Sequence, residues 1–170
     1  MPPPYGRSVL LKAVGVDALI LPNPPHVPVI VLNLEDGRDF TLYYVPYEIV
    51  FAINKMQSSH YADQLQPLTG RESIFDVLLD LSHSLDKLRD TLVRVVIDEF
   101  DYDTSLYTAT AEFDLGGIIM KRRMIPSHAI YLALLLGKPI YVLSSLVDQQ
   151  EEWQEESGEG EEEGEEDLRP

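Results

Sequence analysis

The chain contains no cysteine. That excludes a disulfide framework, a thiolate metal centre and a cysteine nucleophile. No apolar run approaches the roughly 18 residues needed to cross a bilayer. The longest, Ala129 to Leu136, reads as a buried helix. The opening MPPPYGRS has no apolar stretch of the secretory kind, so a soluble cytoplasmic protein with no membrane association is expected. Positive charge is scarce: 13 Lys and Arg stand against 29 Asp and Glu, a net of −16. Non-specific nucleic-acid binding normally shows as a basic patch, and only Lys121-Arg122-Arg123 offers one.

The charge that is present is unevenly placed. Residues 151–170 hold eleven acids against Arg169, a net of −10, which leaves −6 for the other 150 residues. Glutamate and glycine without apolar residues bury too little to offset the entropy of ordering. Residues 149–170 therefore read as an acidic, largely disordered tail, with order expected to end near Ser157. Such a tail serves solubility, occupies a basic surface in place of nucleic acid, or recruits a basic partner. The remainder, 1–148, is expected to be one domain, since 45% apolar content supports a single core.

Along that domain one unit occurs twice. Val9–Leu21 and Val27–Leu34 read as strands, Asp36-Gly37 as a hairpin turn, Phe40–Tyr44 as the returning strand, and Pro46 as a helix opener. An apolar stripe from Ile74 to Leu88 predicts an amphipathic helix, broken near Ser82. Then Leu92–Ile97, Leu106–Phe113, a turn at Gly116-Gly117, a strand Ile118–Met124 and a helix opened by Pro126 repeat the pattern at an offset of 80. Gly137 stops that helix, a strand follows at Ile140–Val142, and a last helix is expected over Ser144–Glu156 with Trp153 docking it. The fold class is accordingly α+β: a tandem-duplicated strands-plus-helix unit, with pseudo-repeats at about 9–57 and 91–137. Its sheet is mainly antiparallel and packed by helices.

The second unit also resembles a known family. Arg123-Met124-Ile125-Pro126-Ser127-His128-Ala129-Ile130, the alternating Leu132-Ala133-Leu134 and Gly137-Lys138-Pro139-Ile140-Tyr141-Val142 are similar to the hallmark of the bifunctional nuclease domain. In that family the block runs Asp-x-Arg-Pro-Ser-Asp-Ala-Ile, an alanine-leucine helix, then Gly-x-Pro-Ile-x-Val. Glu48-Ile49 with Ala52-Ile53, Pro67-Leu68-Thr69, Phe75-Asp76-Val77-Leu78 and the strand pair Arg94–Ile97 and Tyr107–Ala111 fit the same order. The resemblance spans about residues 46–147 and implies a dimeric α+β domain acting on DNA and RNA. The hallmark's Asp, Arg and Asp fall on Arg123, Ile125 and His128.

Cleaving a phosphodiester calls for carboxylates around a divalent metal or for a general acid and base. Glu48 and His128 each lie two residues after a helix-opening proline, so a pseudo-twofold axis would bring them together as base or metal ligand. The plainer reading gives Glu48 to its helix dipole and His128 to a polar first turn. Lys121 and Arg123 share one strand face as phosphate contacts, or as charges that protect an edge strand. Asp98-Glu99-Phe100-Asp101-Tyr102-Asp103 offers hard-cation ligands or a solvated turn. His83 and Asp86 read as solvent face, and His26 and His60 as loop residues.

Two functions stay open. One is a nuclease, a hydrolase assisted by Mg²⁺ or another divalent metal, with Glu48 and His128 catalytic and Lys121 and Arg123 on substrate. The other is a catalytically degenerate homodimeric module that binds protein or nucleic acid.

Overall fold

A computed structural model describes residues 8–57 and 70–166, with side chains described as far as Gly158. His60 and Pro67-Leu68-Thr69 lie outside the described residues. Seven strands form one sheet in the order β3-β2-β1-β7-β4-β5-β6. They are β1 (Leu10–Ile20), β2 (Pro28–Leu34), β3 (Asp39–Tyr43), β4 (Leu92–Asp101), β5 (Leu106–Asp114), β6 (Ile119–Met124) and β7 (Ile140–Leu143). The described helices are α1 (Tyr47–Met56), α2 (Ile74–Asp80), α3 (Asp86–Thr91), α4 (Pro126–Leu136) and α5 (Ser144–Glu166), with a 3₁₀ turn at Ser82–Ser84. The fold is α+β, and no described helix is long and apolar enough to cross a membrane.

Strand pairing makes the two units equivalent. β1, β2 and β3 form one antiparallel meander, and β4, β5 and β6 another. β7 lies between them, antiparallel to β1 and parallel to β4. β1 and β4 therefore run in opposite directions on either side of β7, as a twofold axis through β7 and normal to the sheet would place them. Such an axis leaves both following helices on the same face, and α1 and α4 do touch. Pro46 and Pro126 open equivalent helices, the second one residue sooner: the Pro46 carbonyl accepts from Val50 N (3.4 Å), whereas the Ile125 carbonyl accepts from Ala129 N (3.1 Å).

The core follows from register. Ile30, Leu32, Phe40 and Leu42 share a face with Val95, Ile97, Ala109, Ala111, Ile140 and Val142 through successive pairings, and all are buried. α1 adds Ile49, Val50 and Ile53, and α4 adds Ala129, Ile130, Tyr131 and Ala133. The sheet curls over this face, because Phe40 on β3 meets Tyr107 on β5 edge-on at 5.0 Å between centroids.

The middle helix breaks at the 3₁₀ turn, as the sequence predicts. α2 starts at a capping box, in which Asp76 N reaches Ser73 Oγ and Ser73 N reaches Asp76 Oδ2. The Tyr131 hydroxyl ties α2 to α4 by donating to the Phe75 carbonyl. Gly137 ends α4 in the left-handed region at φ 66°.

Two expectations need correction. β4 continues to Asp101, so Asp98, Glu99 and Asp101 belong to a strand and not to a loop between strands. Its bulge between Ile97 and Glu99 supplies the extra residue that keeps pairing in step. The last helix also does not stop near Ser157; α5 continues to Glu166. Glutamate is a good helix former, and Gly158, Gly160 and Gly164 are too sparse to interrupt the backbone hydrogen bonds.

α5 also covers an edge. The Gln150 amide accepts from Thr41 N and donates to the Thr41 carbonyl, both at 2.8 Å, as a neighbouring strand would. Arg38 binds Asp36 (2.8 Å) and, on α5, Asp148 (2.6 Å).

Candidate functional site

The curl of the sheet leaves a trough between β3 and the β5–β6 pair. One half, a groove of about 770 Å³, lies between the two strand-to-helix junctions: Tyr43 to Pro46 from the first unit and Arg123 to His128 from the second. The other half, of about 780 Å³, lies under α5 among Tyr43, Phe100, Tyr102, Tyr107 and Trp153. Tyr43, Ser105 and Tyr107 line both halves and join them.

The local sequence explains the walls. The X-Pro step holds Ile125 extended before α4, at ψ 127°, and Pro46 is itself extended before α1, at ψ 136°. Tyr44 turns the chain out of β3 at φ 58°, and Ser105 turns it into β5 at φ 58°. A bulky aromatic residue in the left-handed region costs about 1–3 kcal/mol, and such positions cluster at functional sites. The rim is apolar and open: Tyr44 is 76% exposed, Leu106 64% and Ile125 60%. No carboxylate lines either half among the described residues; Arg123 contributes a guanidinium and His128 an imidazole there.

Of the residues expected at a site, the structure brings Arg123 and His128 to the same groove. His128 is half-buried and lies edge-on to Phe75 at 5.4 Å. Arg123 is engaged by Glu99 across the sheet. Glu48 is exposed in the first turn of α1 and does not line the groove. Lys121 lies on the same strand face as Arg123, as alternation requires, and is 3.9 Å from Glu112, which also binds Arg94 at 2.6 Å. Among the described residues, no three His, Asp or Glu side chains converge as a metal site.

The acidic run is held structurally. Asp101 Oδ1 accepts from Asp103 N at 2.8 Å and closes the turn. Asp98 accepts from the Thr110 hydroxyl at 3.0 Å. Burial pushes its carboxyl above the usual range, against the Thr110 hydrogen bond, and the nearby Glu99 charge adds to the rise. His83 is exposed, and His26 Nδ1 lies 3.1 Å from the Leu21 carbonyl. Trp153 docks α5 as expected, with its ring 5.1 Å from that of Phe100.

Sequence reasoning missed the apolar rim and the aromatic cluster. Their one visible sign was Tyr43-Tyr44 just before a helix-opening proline, where a strand ends and its side chains leave the sheet. Compared with protein-family models and with the curated proteins, the chain matches none.

Proposed function

We propose that this chain is a binding module of the bifunctional nuclease type, and that it receives an extended segment of a protein partner in the trough. The observation that carries the reading is the open apolar rim of Tyr44, Leu106 and Ile125 around a groove lined by no carboxylate. An exposed apolar patch set in a strongly charged surface marks an interaction site. Strand alternation favours an extended guest. Thr41 turns its N–H and C=O outward to Gln150. Tyr43, two residues on, turns the same groups toward the trough, where another strand can add. Nucleic acid is the weaker guest, because phosphates call for several Lys or Arg, whereas the groove offers Arg123, already engaged by Glu99.

A nuclease reading keeps one observation in its favour: Arg123 and His128 share a groove, as a phosphate contact and a proton carrier must. A homodimer that covers the same rim is the competing use of the surface. Three measurements on the purified chain separate these. DNA and RNA are incubated with Mg²⁺, Mn²⁺ or EDTA, beside Glu48→Gln and His128→Ala. Sedimentation follows the oligomeric state of the chain and of Ile125→Asp. Peptide binding is followed by anisotropy. Peptide binding lost in Ile125→Asp, without nucleic-acid cleavage, is the expected result. Metal-dependent cleavage abolished by His128→Ala would overturn it in favour of the nuclease, and a dimer dissociated by Ile125→Asp in favour of self-association.

A further inference from the structure

We infer that the aromatic half of the trough is a subsite for an arginine side chain carried by the extended partner segment; this rests on the protein-binding reading above. Phe100 is the hub of the cluster. Its ring lies 4.8 Å from Tyr107, 5.2 Å from Tyr102 and 5.1 Å from Trp153. These contacts fix the rings as walls, while Tyr102 stays 74% and Trp153 37% exposed. The cavity of about 780 Å³ between them is lined also by Tyr43, Gly158 and the neutral Gln150, Gln154, Ser105 and Ser157. No basic side chain lines it among the described residues, so a cationic guest meets no repulsion there.

The helix that roofs the cavity supplies the matching sign. Gln150, Trp153, Gln154 and Ser157 form the lining stripe of α5. At helical spacing that stripe is bordered by Glu151 on one side and Glu156 on the other. Glu151 is partly engaged, 3.4 Å from Arg38. Glu156 lies three positions after Trp153 and is exposed, with no ion pair among the described residues. Aromatic faces attract cations, and a guanidinium, planar and weakly hydrated, stacks on them better than an ammonium does. A nucleobase could stack on the same rings, but its phosphate would meet the glutamates of a chain with net charge −16. Charge therefore selects arginine: its plane lies against Trp153 or Tyr102, its N–H groups face the Gln154 amide, and its charge faces Glu156.

The test uses the full chain and its single tryptophan, Trp153, as reporter. A capped seven-residue peptide with one central arginine flanked by valines is titrated, beside copies carrying citrulline or lysine instead. The arginine peptide is expected to change Trp153 emission and to bind about tenfold more tightly than the citrulline peptide, with lysine between. Tyr102→Leu should remove most of that preference. Glu156→Gln should weaken the arginine peptide about threefold, whereas Glu72→Gln, an equal charge change before α2, should not. Equal affinity for arginine and citrulline, or a preference untouched by Tyr102→Leu, would overturn the subsite. Ile125→Asp separates the two readings. If it abolishes binding of all three peptides while the unsubstituted chain shows no arginine preference, the trough stands and the subsite falls. If it changes nothing while the preference persists, the aromatic half binds alone and the trough reading falls.

Discussion

Removing the Gln150 amide should unlatch α5 from the edge of β3. The side chain is 7% exposed and makes two 2.8 Å hydrogen bonds, one to each polar group of the Thr41 backbone. Each such bond contributes about 0.5–1.5 kcal/mol net. Gln150→Leu keeps the volume and removes both, so the loss from the bonds alone is about 1–3 kcal/mol. Thr41 is only half-buried, and water reaching its freed groups holds the loss toward the lower half of that range. Urea unfolding should therefore show a lower midpoint at unchanged slope, and the melting temperature should fall by about 3–6 °C. Hydrogen exchange adds a local readout: the Thr41 amide should exchange faster in the variant, while amides in the middle of β4 should not. A loss below about 0.5 kcal/mol, or unchanged protection at Thr41, would falsify the claim that one side chain stands in for a neighbouring strand.

Further outcomes follow from other sites. Gly137→Ala should cost about 1 kcal/mol, measured by urea unfolding, because φ is 66° while an added Cβ meets nothing within 4 Å, leaving conformational strain alone. Burial, with smaller help from Asp76 and Asp80, pushes the Tyr131 phenol from near 10 up to about 12. The folded state thus holds that proton longer than the unfolded chain. The resulting stability is complete below pH 10 and lost as pH rises toward 12, so circular dichroism should show alkaline unfolding across that window, with a shallower slope in Tyr131→Phe. Asp98 has its carboxyl raised, chiefly by burial, so the folded state favours the protonated form. Its ionisation works against folding as pH rises through the folded value. Asp98→Asn should raise the melting temperature at pH 7 and lose that advantage near pH 3.

Much of this fold is legible from local signals. Pro46 and Pro126, the turns at Asp36-Gly37 and Gly116-Gly117, and the left-handed stop at Gly137 each act within a few residues of themselves. Strand alternation likewise sends Lys121 and Arg123 to one face and Arg122 to the other. What could not be read is set by partners distant in sequence. The bulge that carries β4 on to Asp101 depends on register with β5; the continuation of α5, by contrast, rests on the local helix preference of glutamate, which the expectation of a disordered acidic tail overrode. The candidate site shows the same division. Arg123 and His128 do share a groove, because both sit at one strand-to-helix junction. Glu48 does not line it: it lies in the other unit, where the groove is walled by the preceding residues Tyr43 to Pro46.

β7 gives the molecule a particular order of assembly. Each meander is built from neighbouring segments, yet the inner borders of β1 and β4 find their strand partner in β7, the four residues Ile140–Leu143. A chain growing from its N-terminus on the ribosome therefore carries two unfinished half-sheets until Ile140–Leu143 has emerged. Both halves present open borders able to join other nascent chains during that interval. Emergence of this short segment closes both borders at once. Weakening this short strand is therefore expected to lower the yield of native protein by more than its share of the core would suggest.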